Sequence, residues 1–132
     1  MNADELMLGD WVLCTSVDKP ARVESITPLE GLGSAGYTFG LRDADNHLYL
    51  VHKTSVRPIP ITMDIMGKNF SNTPEWAFLG NTRVYFRFYF DKNLCHIRNS
   101  GKRYVGRIDN VHELQHVLRD CGLKELATDF KV

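Results

Sequence analysis

In the segment VRPIPIT two prolines, Pro58 and Pro60, stand one residue apart. Neither carries an amide N–H, so no continuous ladder or helix can run through them, and the chain must fold as one body before and another after. Before them the sequence is punctuated by turn residues that leave only strand-length runs: DWVLCTS, ARVESIT, YTFGLRD and HLYLVHK, with VRPIPI closing the segment. PLEGLGSAG between the second and third runs has the glycines and proline of a loop, and DADN between Arg42 and His47 is a compact polar hairpin turn. So few short strands cannot cover both faces of a flat sheet, whereas closure on themselves buries a core and removes exposed edges. Residues 1–60 are therefore expected to form an SH3-like β-barrel.

After the prolines the pattern changes. Thr62 is placed to cap a short helix over MDIMGKNF, with Gly67 expected to end it. A turn around Pro74 precedes RVYFRFYF, the strongest strand signal in the chain, which alternates Val84, Phe86, Phe88 and Phe90 with Arg83, Tyr85, Arg87 and Tyr89. The turn sequences DKN and NSGK make LCHIRN and RYVGRI its antiparallel successors. A last helix is expected from Asn110 to Gly122, with Arg119 in its final turn and glycine just beyond its end. Residues 61–132 thus read as a short helix, a three-strand antiparallel meander and a C-terminal helix, and the whole chain as α+β.

Composition narrows the function classes. Of 132 residues, 43% are hydrophobic and 24% charged, a balance that supports a packed core. No apolar stretch approaches the roughly 20 residues of a membrane span, and MNADELMLGDW lacks the basic start and apolar run of a secretory leader. A cytoplasmic protein without a membrane partner is expected. Cys14, Cys95 and Cys121 are odd in number and far apart, which fits free buried thiols better than a disulfide framework or a zinc ribbon. The net charge of zero conceals an asymmetry. Between positions 81 and 107, Arg83, Arg87, Lys92, Arg98, Lys102, Arg103 and Arg107 stand against Asp91 alone, whereas residues 1–60 are acidic on balance.

DNVHELQHVLRDCG contains His112, Glu113 and His116 in the H-E-x-x-H spacing of zinc metallopeptidases, in which two imidazoles one turn apart hold zinc and the glutamate activates its water. A third ligand is also needed, and the extended pattern with glycine and a further histidine is absent, leaving Glu125 or Asp129 as substitutes in a short tail. At roughly 100° per residue, Val111, Leu114, Val117, Leu118 and Cys121 gather on one face, so His112 and His116 are expected on the opposite, solvent-facing side. Glu113 is three residues after Asn110 and fits a variant capping box. The expectation is a capped surface helix with no cofactor and no catalytic residue. Metal held by His112 and His116, as in a zinc peptidase, is the alternative.

The more suggestive surface lies on the sheet. Tyr85, Arg87 and Tyr89 share one side of their strand, and His96, Arg98, Arg103 and Arg107 join them if the next two strands are in register. Arginines can hold a phosphate backbone while tyrosines stack bases, and the same residue types are favoured in protein interfaces. A non-enzymatic binding module with a nucleic-acid or protein partner, which includes a homodimer, is the expected function.

LMLGDWVL near the start, VRPIPIT with the following helix and KNF, and YVGRIDNVHELQHVLRDCGLKEL at the end together resemble a family of small uncharacterised Bacteroidetes proteins, often encoded near prophage or mobile-element genes. The resemblance covers nearly the whole chain. It implies an SH3-like first half, a mixed second half, and a final-helix pattern V-H-x-L-Q that includes His112 but not the full H-E-x-x-H. It implies no activity and no catalytic residue.

Overall fold

The computed structural model describes residues 1, 5–28, 37–69, 76–78, 84–89, 94–99, 104–120 and 122–132. The chain is α+β and divides into two compact units, Met1–Ile59 and Pro60–Val132.

The first unit is an antiparallel sheet of five strands: β1 (Trp11–Cys14), β2 (Lys19–Pro28), β3 (Tyr37–Asp43), β4 (Leu48–His52) and β5 (Val56–Arg57). A single 3-10 turn, Lys53–Ser55, precedes β5. The order across the sheet is β4-β3-β2-β1-β5, so consecutive strands form a meander and the last returns to pair with the first. The ten-residue β2 carries a bulge between Val23 and Ser25, which increases local twist and helps the sheet curl into a half-barrel. Alternation places Ala21 and Val23 from β2 and Phe39 and Leu41 from β3 inside, with Leu6, Val12, Cys14 and Val56 completing the core. Gly40 has no alternative at its position. A Cβ there would collide with the Ser25 hydroxyl across the bulge.

The second unit begins at Pro60, which forms an isolated bridge to Asn110, while the Ile61 amide donates to the Asp109 carbonyl at 3.0 Å. Helix α1 (Met63–Asn69) starts as expected, with the Ile65 amide donating to Thr62 Oγ1. It does not end at Gly67. Asn69 extends it, because its side-chain Nδ2 donates to the carbonyls of both Ile65 and Lys131 and its Oδ1 accepts from the Lys131 amide, fastening the last residues of the chain to the helix. The sheet has four strands rather than three, in the order β6 (Trp76–Phe78), β7 (Val84–Tyr89), β8 (Leu94–Asn99) and β9 (Tyr104–Ile108). The added strand is the three-residue Trp-Ala-Phe, too short for its alternation to stand out from the surrounding loop residues.

Helix α2 (Val111–Asp120) closes in a Schellman motif: Gly122, at φ +79°, donates to the Arg119 carbonyl and Leu123 to the Leu118 carbonyl. A second short helix, α3 (Lys124–Thr128), follows where the sequence reading ended in a tail. The buried residues of α2 are Val111, His112, Leu114, Gln115 and Leu118. Relative to the arc expected from apolar residues alone, this arc is turned by about 60–80°, toward Gln115 and His112 and away from the half-buried Val117. The turning has a physical cause. Gln115 is fully buried and its Nε2 donates at 3.0 Å to the carbonyl of Ala127 in α3, so a polar residue occupies the centre of the inward face.

Among the described residues no helix is long and apolar enough to cross a membrane.

Candidate functional site

The register of the β6–β9 sheet brings the candidate residues into cross-strand rows. Trp76 is the partner of Arg87, Arg87 of His96 and His96 of Arg107, one row through all four strands. The row two positions along β7 joins Phe78, Tyr85, Arg98 and Tyr104. Directly paired residues in an antiparallel sheet lie on one side of it, and the two sides alternate along each strand. The end of β9 assigns the sides, since Arg107 is exposed while Ile108 is 4% exposed. The Trp76–Arg87–His96–Arg107 row is therefore continuous with the exposed position. The Cys95–Ile108 pair, and Phe88 as partner of Cys95, belong to the side that ends in the buried one.

Of the residues singled out from sequence, Tyr85, Arg87, His96, Arg98 and Arg107 occupy these two rows, and Tyr89 continues the same side with Leu94 as partner. Arg103 lies outside the described residues. Simple alternation back from Arg107 would have placed Val105 in the Arg98 row. A bulge between Ile97 and Arg98 gives that place to Tyr104. Trp76, Phe78 and Tyr104 were missed in the sequence, the first two because β6 was not expected and the third because a bulge leaves no sequence signature here. Arg107 Nε also donates to Asp109 Oδ1 at 2.7 Å, an exposed pair that orients the guanidinium and contributes little to stability.

The H-E-x-x-H segment is arranged differently from the sequence expectation. His112 is buried at 6% exposure, not solvent-facing, because the buried arc of α2 is turned toward it. Its ring meets that of His116 edge to face, with centroids 5.8 Å apart. Glu113 acts at the helix start as expected, with Asn110 Nδ2 donating to its Oε1 at 2.8 Å, side chain to side chain rather than side chain to backbone. Among the described residues no third histidine, cysteine, aspartate or glutamate brings a ligand atom to this pair.

The described residues do gather three such groups elsewhere. Asp43, Asp45 and His47 place one ligand atom each within 4.8 Å of the others at the β3–β4 turn. Their geometry is that of a turn anchor. Asp43 Oδ1 accepts from the Asp45 and His47 amides at 3.0 and 2.9 Å, and its Oδ2 accepts from the Tyr49 hydroxyl at 2.9 Å. Burial opposes ionisation of this carboxyl, but the His47 amide, the Tyr49 hydroxyl and the neighbouring His47 ring outweigh it and hold Asp43 below the ordinary aspartate range. The same hydrogen bond, reinforced by burial and the Asp43 charge, raises Tyr49 above the ordinary tyrosine value. Asn46 takes φ +69° inside this turn, as asparagine tolerates.

On the first unit an open groove of about 450 Å³ is lined by Trp11, Arg22, Val23, Glu24, Arg42 and Asp43, among others. The Arg22 guanidinium lies 4.7 Å from the centre of the Trp11 ring, and Arg42 grips Glu24 through Nε and Nη2 at 2.8 and 3.2 Å. The groove's charged groups thus neutralise one another. No family model matches the chain, and neither does any curated protein or solved structure.

Proposed function

We propose that this protein is a non-enzymatic binding module, acting in the cytoplasm, whose second unit engages single-stranded nucleic acid through the β6–β9 sheet. The observation that carries the reading is the register: it alternates cationic and aromatic positions across four strands, in the rows Trp76–Arg87–His96–Arg107 and Phe78–Tyr85–Arg98–Tyr104. Arginines spaced across a sheet match a phosphate backbone, and interleaved aromatic rings offer stacking to successive bases. A phosphate-rich partner also suits the basic balance of this stretch of chain. The first unit is read as an SH3-like barrel, supported by the β4-β3-β2-β1-β5 order and the 3-10 turn before β5.

Fluorescence anisotropy with a labelled mixed-sequence single strand, repeated over a salt series, tests this. Affinity should fall steeply with salt, Arg87→Ala and Arg98→Ala should each lower the log–log slope by about 1, and Tyr85→Ala should cost about 1–3 kcal/mol. Arg57→Ala on the exposed end of β5 should change nothing. No binding refutes the reading. Capture of a protein with a flat salt dependence, lost on changing Tyr85 or Tyr89, would make the sheet a protein interface instead.

A further inference from the structure

The two edges of the five-stranded sheet are built differently. At one end β5 is only Val56–Arg57, and it runs into Pro58, so charge, brevity and a missing donor all discourage further pairing. At the other end β4 reads Leu-Tyr-Leu-Val-His, with no lysine, no proline and no bulge, and it leaves Leu48 and Leu50 at 48% and 69% exposure.

The hydrogen-bond parity of β4 follows from its turn. The Asp43 amide donates to the His47 carbonyl at 3.0 Å, which makes positions 43 and 47 a hydrogen-bonded pair. Counting onward in steps of two, Tyr49 and Val51 spend their N–H and C=O groups on Leu41 and Phe39 of β3. Leu48, Leu50 and His52 sit opposite Arg42, Gly40 and Thr38 in the alternate pairs, so their N–H and C=O groups are directed away from the sheet. Leu50 has the further peculiarity that its β3 partner is Gly40, which offers it no side chain to lean on.

We infer that β4 is the pairing edge of a symmetric homodimer, in which β4 of a second copy lies antiparallel with Leu50 opposite Leu50. This register is self-complementary. Both copies direct outward the backbone groups of Leu48, Leu50 and His52, so Leu50 meets Leu50 and Leu48 meets His52 in hydrogen-bonded pairs on either side of a two-fold axis. On the outer side Leu50 covers Leu50, with Leu48 of each copy diagonally adjacent; on the core side Tyr49 stands opposite Val51. Both faces of the new ladder are thus apolar, and the two sheets become one of ten strands. This surface belongs to the first unit and does not depend on the nucleic-acid reading of the second.

Sedimentation velocity on the full chain from about 1 µM to about 1 mM is the test. The wild-type mass should rise with concentration from 15.1 kDa toward twice that value, and Leu50→Lys, which sets two like charges on the axis, should remain monomeric throughout. The Leu50→Cys chain keeps the result independent of any effect of lysine. Hydrogen-bonded partners stand about 5.5 Å apart at Cα, within disulfide reach, so mild oxidation should cross-link this variant into dimers, while Leu8→Cys and the wild type stay monomeric on a non-reducing gel. A wild type that is monomeric across the series, a dimer that survives Leu50→Lys, or equal cross-linking through position 8 would each overturn the inference.

Discussion

Replacing Gln115 separates a buried hydrogen bond from the volume around it. Gln115 has no exposed surface and its Nε2 donates to the Ala127 carbonyl at 3.0 Å. Ala127 lies in the last turn of α3, where a carbonyl would ordinarily accept from the amide four residues on. That amide, Lys131, donates instead to Asn69 Oδ1 at 2.7 Å. Gln115→Met keeps the length and most of the volume but leaves the carbonyl without this donor, a cost of about 1–3 kcal/mol. Gln115→Ala adds a cavity between α2 and α3 and should cost about 2–4 kcal/mol. Gln115→Glu aims a carboxylate at the carbonyl. Burial raises that carboxyl above its unfolded value of about 4.3, so the penalty is absent below that pH and grows as pH rises to the folded-state value. The three helices all lie in the second unit, so urea unfolding followed by circular dichroism at the helical band reports on it. A Gln115→Met variant within about 0.5 kcal/mol of wild type, at unchanged m, would refute the reasoning by showing that Ala127 finds another donor.

Two further outcomes are expected. Asp43 is held below 3.8 and Tyr49 above 10.0, so the aspartate's contribution is present above pH 3.8 and lost as pH falls through its lower folded value, while the tyrosine's is present below pH 10.0 and lost as pH rises through its higher one. Tyr49→Phe should flatten the alkaline limb of thermal stability against pH and move the acid limb toward higher pH; superimposable profiles would show that the pair is uncoupled. Gly122→Ala should cost about 1 kcal/mol through backbone strain alone, since φ is +79° and a Cβ would meet nothing within 4 Å, and a neutral or stabilising result in urea melts would remove the Schellman closure as the reason for glycine.

The elements of the first unit were legible in the sequence because their signals are local. Turn residues stop each strand, and alternation between Ala21 and Val23 or Phe39 and Leu41 marks the inner side without reference to any other strand. Thr62 and Gly122 announced a helix start and a helix end for the same reason, each acting within one turn. The candidate residues on β7, β8 and β9 could be named from charge and aromaticity, but their rows could not. Register is a relation between strands, and a bulge after Ile97 substitutes Tyr104 for Val105 with no mark in the local pattern. The three-residue β6 exists by pairing with β7, so Trp76 enters its row only when that pairing forms. The clearest failure lies in α2. Hydrophobic periodicity assumes that polar residues face water, whereas a free carbonyl in α3 can make a glutamine the better inward residue, rotating the helix and burying His112 with it. Local propensity and patterning thus determined which segments are strands and helices. Tertiary structure alone decided which sides meet, because hydrogen-bond partners far apart in the chain settle that choice.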